Sequence, residues 1–200
     1  MGLALYVIIS IALIILGVQW NSPKWVGKRG ENRVKRHLLR IDQTQYKLFN
    51  DINIPNTKAK SGKAQVDHIL VSEFGIFVIE TKNYSGWIFG SAERKYWTQV
   101  IFDNRYQMYN PIKQNWGHIY ALSEFLKVPQ NKFHNIVTFV GNAEFRTQMP
   151  KGVFYDSQYI DYITSFKNKV LSEADVDNIT RMLLMEKDKE DSEKIDCNRT

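Results

Sequence analysis

Cysteine is almost missing from this sequence of 200 residues, which contains one thiol, Cys197, and four histidines. A single cysteine cannot form an intrachain disulfide, and its scarcity is typical of proteins in a reducing compartment. No group of cysteines and histidines has the spacing of a zinc site. The sequence also lacks internal repeats and long low-complexity segments, which excludes a repeat architecture.

The composition suits one globular domain, because 44% of the residues are hydrophobic and 24% are charged. The net charge of +6 is compatible with an anionic partner but does not require one. We predict a membrane anchor at residues 1–20, a linker at 21–27 and a folded domain at 28–185. The last segment, 186–200, mixes acids and bases and is predicted to be a disordered charged tail.

Charge is absent from the N-terminal stretch Gly2–Val18, which is almost wholly apolar. Its length just reaches the roughly 17 to 25 residues that span a bilayer. A cleaved signal peptide is the alternative, but no basic residue precedes the stretch and no small-x-small cleavage site follows it. The lipid bilayer is therefore an expected partner through residues 2–20.

A basic run follows the apolar stretch, and by the positive-inside rule it places the C-terminal domain in the cytoplasm. The predicted location is the cell membrane, with a single span. The same run could bind DNA or anionic headgroups. Its members are Lys24, Lys28, Arg29, Arg33, Lys35, Arg36 and Arg40.

Two short apolar runs rich in β-branched residues, Val66–Val71 and Ile76–Ile79, are separated by a turn and predict a buried β-hairpin. Asp67 and Glu80 interrupt these runs, although a buried charge is unfavourable unless it is paired or bound to a metal. If Val71 pairs with Ile76, Asp67 lies opposite Glu80, about 5 Å away between Cβ atoms. A register shifted by one residue would place His68 there instead.

Two carboxylates this close repel each other unless a cation lies between them, and oxygen ligands favour Mg²⁺ or Mn²⁺. Lys82 shares a strand face with Glu80 and could orient water or stabilise charge on a phosphate. This combination is typical of a phosphodiesterase site. An ordinary ion pair on a solvated strand is the alternative for Glu80 and Lys82, but the apolar flanks and the preceding Asp67 favour the site.

Two helices are predicted to flank the hairpin. Glu31 lies on the apolar side of the first, where it could supply a third carboxylate or only interact favourably with the helix dipole. Asn110-Pro111 begins the second helix, whose apolar face is predicted to contain Ile112, Trp116, Ile119, Leu122 and Leu126. Gln114 and His118 lie one turn apart on another face, where they could reach a phosphate or have only structural roles.

Further strands are predicted from Tyr46 to Ile54, from Phe133 to Val140 and, extending the same sheet, at Trp87–Phe89 and Trp97–Phe102. We interpret the aromatic residues of the last two as core residues and not as base-stacking platforms. The loop between Pro55 and Lys63 is basic and could cover a phosphate backbone or be a solvated turn. Its cations are Lys58, Lys60 and Lys63.

The order of these features resembles the nuclease-related domain (NERD) family, a branch of the PD-(D/E)XK nuclease superfamily. The resemblance covers residues 25 to 140, with a motif core at 28–140. It is carried by Gly30-Glu31, Gln65-Val66-Asp67-His68, Ile79-Glu80-Thr81-Lys82-Asn83, and Asn110-Pro111 with Gln114-Asn115 and His118. Val66 stands where the superfamily has proline, but a strand needs an apolar residue there and proline would remove a backbone donor.

The resemblance implies an α/β, restriction-endonuclease-like fold with a mixed central sheet flanked by helices. Asp67 and Glu80 would be metal ligands, supplemented by Glu31 and the Thr81 carbonyl. Lys82 would be the catalytic lysine, and Gln114 would lie near the scissile phosphate. The expected function is a membrane-anchored, Mg²⁺-dependent nuclease acting on DNA. The alternative is a non-catalytic, membrane-tethered module that binds nucleic acid or acts as a scaffold, and RNA is not distinguished from DNA.

Overall fold

The computed structural model describes residues 5–7, 9–10 and 22–197, with side chains to residue 193. Within these residues, no helix is both long and apolar enough to cross a membrane. Most of the predicted anchor at 1–20 lies outside the described residues. From residue 22 to residue 197 the helices are α1 (Pro23–Leu38), α2 (Pro111–Leu126), α3 (Tyr159–Thr164) and α4 (Glu173–Cys197), and a 3-10 turn lies at Gln130–Lys132. The strands are β1 (Lys47–Pro55), β2 (Lys63–Ser72), β3 (Gly75–Lys82), β4 (Gly86–Phe89), β5 (Tyr96–Ile101), β6 (Asn104–Tyr109), β7 (Phe133–Phe139), β8 (Ala143–Phe145) and β9 (Val153–Tyr155).

A five-stranded mixed sheet forms the centre of the fold, in the order β1-β2-β3-β7-β9. β1, β2 and β3 are antiparallel, whereas β3, β7 and β9 run parallel. Helices α2 and α4 pack on one face through an apolar cluster, and α1 and α3 pack on the other face. This is the mixed α/β sheet with flanking helices that the sequence predicts.

The prediction that Trp87–Phe89 and Trp97–Phe102 extend the central sheet is wrong. They form β4 and β5 of a second, four-stranded sheet in the order β6-β5-β4-β8. The reason is that β7 already occupies the free edge of β3. The chain turns away at Gly86, whose φ of +80° disfavours any residue with a side chain.

The second sheet is attached to the central sheet by a third apolar cluster. Ile88 and Trp97 contribute from the second sheet, and Val137, Phe139 and Val153 from the central sheet. Trp97 stacks on Phe139, with ring centroids 6.2 Å apart and an interplanar angle of 10°. The prediction of core aromatics is therefore right for Trp97, but Trp87 on β4 is exposed.

The segments predicted as a linker, 21–27, and as a disordered tail, 186–200, are both partly helical. Helix α1 begins at Pro23 inside the predicted linker, because Ser22 has extended backbone and proline is preorganised for the first helical position. Helix α4 continues through the predicted tail as far as Cys197. Two of its charged residues contact β1: Lys187 donates to the Asn50 carbonyl at 2.8 Å, and buried Glu190 accepts from the Asn53 side-chain amide at 2.6 Å.

The apolar face predicted for α2 is wrong at one position. Trp116 is exposed, whereas its neighbour Asn115 is fully buried. Asn115 Nδ2 donates to the carbonyls of Val78 on β3 and Ile136 on β7, at 2.8 and 3.1 Å. A buried amide is tolerated here because these carbonyls accept its hydrogen bonds.

Candidate active site

The two hairpin carboxylates lie at the end of the β2–β3 ladder. The predicted pairing of Val71 with Ile76 is confirmed, and the ladder continues to the pair His68 and Ile79. The next position in this register places Asp67 opposite Glu80. The side chain of Asp67 replaces the next ladder bond, because its Oδ2 accepts a hydrogen bond of 2.9 Å from the Thr81 N–H.

Glu80, Lys82 and Gln114 form a short chain of polar contacts. Lys82 Nζ lies 2.8 Å from Glu80 Oε1, and the Glu80 side chain is only 4% exposed. The same ammonium group donates to Gln114 Oε1 at 3.0 Å. The structure thus brings together two strand residues and one helix residue that the sequence placed in the site.

His118 approaches the other oxygen of Glu80, with Nε2 and Oε2 3.3 Å apart. Nε2 is buried and makes no aligned hydrogen bond, so the contact is mainly electrostatic and depends on protonation of the ring. Burial opposes the charge on Glu80, but nearby His118 and Lys82 outweigh burial and lower its pKa. Glu80 is therefore held as a carboxylate.

The pKa of Asp67 is shifted in the opposite direction, although Asp67 lies directly opposite Glu80 in the strand register. Burial, and then the negative charge of Glu80, raise the pKa of Asp67 from 3.8 to about 7. The hydrogen bond from Thr81 and the charge of Lys82 partly oppose this shift. Two carboxylates with pKa values driven in opposite directions are typical of sites that use a proton or bind a cation.

Glu31 reaches the same region from α1, since it lines a cavity of about 400 Å³ together with Asp67. Its Oε2 lies 3.1 Å from Lys28 Nζ. Lys28 also contacts Asp51 at 2.8 Å, a carboxylate that the sequence analysis missed. Asp51 occupies the β1 position opposite Asp67 in the β1–β2 register and has a φ of +54°.

The only sequence signal for Asp51 is an acid inside an alternating strand. Aspartate tolerates the left-handed region better than most residues, so the residue type fits its backbone. Asn115 is part of the family motif quoted from the sequence, but its structural role was not predicted. Its hydrogen bonds to β3 and β7 fix the rotation of α2, and so direct Gln114 toward Lys82 and His118 toward Glu80.

The basic loop between Pro55 and Lys63 borders a second cavity at the site, separate from the one that Glu31 lines. This second cavity, of about 410 Å³, is lined by Asp67, Gln114, His118 and Lys63, among others. Lys58 lies over the Tyr120 ring of α2, with Nζ 3.8 Å from the ring centroid. Lys60 is exposed, and Lys63 pairs with Glu193 of α4 at 2.9 Å.

The donor set suits a hard divalent cation. The described part of the chain contains no cluster of three or more His, Cys, Asp or Glu side chains with metal-binding geometry. Mg²⁺ is usually bound by one or two carboxylates, with water and substrate phosphate as its other ligands. Asp67 and Glu80 meet that requirement. Burial, and then the charge of Glu80, raise the pKa of Asp67, and a bound cation would relieve the second of these. The Thr81 carbonyl remains a predicted ligand.

The fold and this cluster define a class of protein: a mixed α/β domain whose adjacent strands carry two carboxylates and a lysine, with a glutamine supplied by a flanking helix. The family model of the nuclease-related domain matches residues 26–140. The chain belongs to that family, and the resemblance noted from the sequence is confirmed.

A curated relative matches most of the chain. The chain is 33% identical over 191 residues to an uncharacterised protein of Bacillus anthracis, covering 92% of this chain and 89% of the relative. The similarity therefore extends beyond the matched domain. No solved structure matches the chain.

Proposed function

We propose that this chain is a metal-dependent nuclease that hydrolyses phosphodiester bonds of DNA. The observation that supports it best is the contact chain formed by Glu80, Lys82 and Gln114, with Asp67 adjacent on the neighbouring strand. Membership of the nuclease-related family supports the same class of reaction. The identity of the substrate as DNA is part of the proposal.

Each residue has a role that follows from its position. Asp67 and Glu80 would bind Mg²⁺ or Mn²⁺, with Glu31 supplementing them from α1. The bound metal would neutralise the scissile phosphate and acidify a water molecule. Lys82 would stabilise the negative charge that develops on the phosphate. Gln114 positions the Lys82 ammonium through the 3.0 Å hydrogen bond.

His118 and the basic loop would bind the substrate backbone. His118 lines the second cavity with Lys63, and Lys58 and Lys60 lie at the exposed edge of the loop. Cations here would contact phosphates without reading the bases, because phosphate contacts carry no sequence information. Sequence-independent binding is therefore expected.

The experiment is a cleavage assay with full-length protein on single-stranded, duplex, nicked and flapped DNA and RNA, in Mg²⁺, Mn²⁺ or EDTA. Glu80→Gln and Lys82→Ala should abolish metal-dependent cleavage, and the exposed Lys167→Ala should not. Because removing Lys82 leaves buried Glu80 without its ion pair, the double variant Glu80→Gln/Lys82→Met tests the same point without an unpaired charge. Retained cleavage in the folded variants would refute the assignment.

The non-catalytic alternative predicts a different pattern. No substrate would be cut in any metal, while binding in EDTA would persist and weaken steeply with salt. Neutralising Lys58, Lys60 and Lys63 would then reduce affinity and the salt dependence together. This result would replace the nuclease proposal with a tethered binding module.

We also propose that the uncharged stretch Gly2–Val18 anchors the domain in the cell membrane, with the nuclease-related domain in the cytoplasm. The support is the apolar sequence followed directly by a basic run. Extraction of the protein from membranes by carbonate or high salt would argue against an integral anchor, and retention in the membrane fraction is expected.

A further inference from the structure

The second sheet presents aromatic side chains on the face turned away from the core. Trp87, Tyr96 and Tyr109 are between 44% and 49% exposed. Large aromatic residues are usually buried, so three of them on one exposed face require an explanation. We call this surface the aromatic face, and define it by these three residues with Arg105 and Arg146.

The strand register places these residues on one side of the sheet. Tyr96 pairs with Tyr109 across β5 and β6, and the two rings meet edge to face with centroids 6.0 Å apart. Trp87 pairs with Val100, and Val100 in turn pairs with Arg105. The opposite side of the same strands carries Ile88 and Trp97, which are buried.

Cations accompany the aromatic rings. The Arg146 guanidinium lies over the Trp87 ring at 4.5 Å, and Lys95 Nζ lies 5.4 Å from the Tyr96 ring centroid. Arg105 is exposed on β6. One acid lies on the same face, because Glu144 pairs with Trp87 in the β4–β8 register, and it contacts Arg146 at 3.0 Å.

This combination matches single-stranded nucleic acid better than other partners. Unpaired bases stack on exposed aromatic rings while cations contact the phosphates. A duplex keeps its bases stacked inside and presents mainly its backbone. A second copy of this chain would favour an apolar centre depleted of charge, whereas Thr98, Gln107 and Arg105 separate the rings on this face.

We propose that the aromatic face binds single-stranded nucleic acid by base stacking and directs the strand toward the candidate active site. Trp87 follows Lys82 by five residues, which limits the distance between their Cα atoms to about 18 Å. A base would stack on the ring face of Trp87 that Arg146 leaves open, or would displace the guanidinium toward a phosphate. This inference adds a binding site and does not depend on catalysis.

The test measures binding of a labelled single-stranded oligothymidylate and a duplex of equal length to the full-length protein in EDTA, by fluorescence anisotropy. Trp87→Ala and Tyr109→Ala should each weaken single-strand binding by about fivefold or more, the effect of losing one stacked base. Trp25→Ala is the matched control, because Trp25 is similarly exposed but lies on α1. A labelled RNA strand tests whether the sugar matters.

A second arm separates stacking from general electrostatics. Arg105→Gln should reduce the slope of log affinity against log salt by about 0.7 on single strands, while the tryptophan and tyrosine variants leave the slope unchanged. The proposal is overturned if Trp87→Ala binds single strands as tightly as Trp25→Ala does. It is also overturned if the duplex binds as tightly as the single strand and the aromatic variants weaken both equally. A third contrary result would be sedimentation showing that these residues hold two copies of the chain together. Because the assay contains no metal, its failure does not affect the nuclease proposal.

Discussion

Replacing Asp67 by asparagine should stabilise the metal-free protein at alkaline pH. Folding raises the pKa of Asp67 from 3.8 to about 7, so the folded state favours the protonated form. The resulting stabilisation is complete below about pH 4 and is lost as pH rises through about 7. Asparagine keeps an oxygen that can accept the Thr81 hydrogen bond and has no charge to lose.

The magnitude follows from the size of the shift. A shift of about three pH units corresponds to about 4 kcal/mol in total. Between pH 5 and pH 8 the wild type should lose about 2 to 3 kcal/mol of Asp67-linked stability, and Asp67→Asn should lose none of it. The lowered pKa of Glu80 acts in the opposite direction, but its stabilisation is lost only below its ordinary pKa of 4.5 and is constant in this window.

Urea denaturation in EDTA at pH 5, 6, 7 and 8 measures the effect. The difference in the free energy of unfolding between Asp67→Asn and wild type should grow by about 2 to 3 kcal/mol from pH 5 to pH 8. Asp103→Asn, an exposed carboxylate at the β5–β6 turn, is the control and should follow the wild type. Parallel curves for wild type and Asp67→Asn would refute the raised pKa of Asp67.

The packing of two glycines and one asparagine gives further predictions. Gly30→Ala should destabilise the fold by about 1 to 3 kcal/mol, because its Cβ would lie 2.7 Å from Asn83 Cβ. Gly117→Ala should instead stabilise α2 by up to about 1 kcal/mol, because nothing lies within 4 Å of the added Cβ. Melting temperatures that shift in the same direction for the two glycine variants would contradict this. Asn115→Leu should reduce the free energy of unfolding by at least about 2 kcal/mol, because buried carbonyls lose their donor. Asn104→Leu, on exposed β6, should lose little in the same urea titration.

The hairpin could be predicted because its signals are local. Alternation, the turn and the two acids inside apolar runs all lie within Val66–Lys82, and strand period fixes which residues share a face. The cap at Asn110 is local in the same way, and its side chain accepts from the N–H of Ile112 as expected. These elements carry most of the candidate site.

The errors occur where distant residues decide the structure. The second sheet depends on β7 occupying the edge of β3, which no local pattern in β4 reveals. Asn115 looks unsuitable for a buried helix face until the carbonyls of β3 and β7 are placed beside it. Trp87 is exposed because the other side of β4 faces the core. A tryptophan in a short strand does not indicate which side that will be.

The contacts of α4 have a consequence for how the protein avoids self-association. β1 is an outer strand of the central sheet, and such a strand offers free backbone groups to any neighbouring chain. Lys187 satisfies the Asn50 carbonyl at 2.8 Å, and Glu190 accepts from the Asn53 N–H at 3.3 Å. The charged end of α4 thus blocks strand addition at this edge. A chain shortened before Lys187 would retain its apolar core yet expose β1 as a template for aggregation.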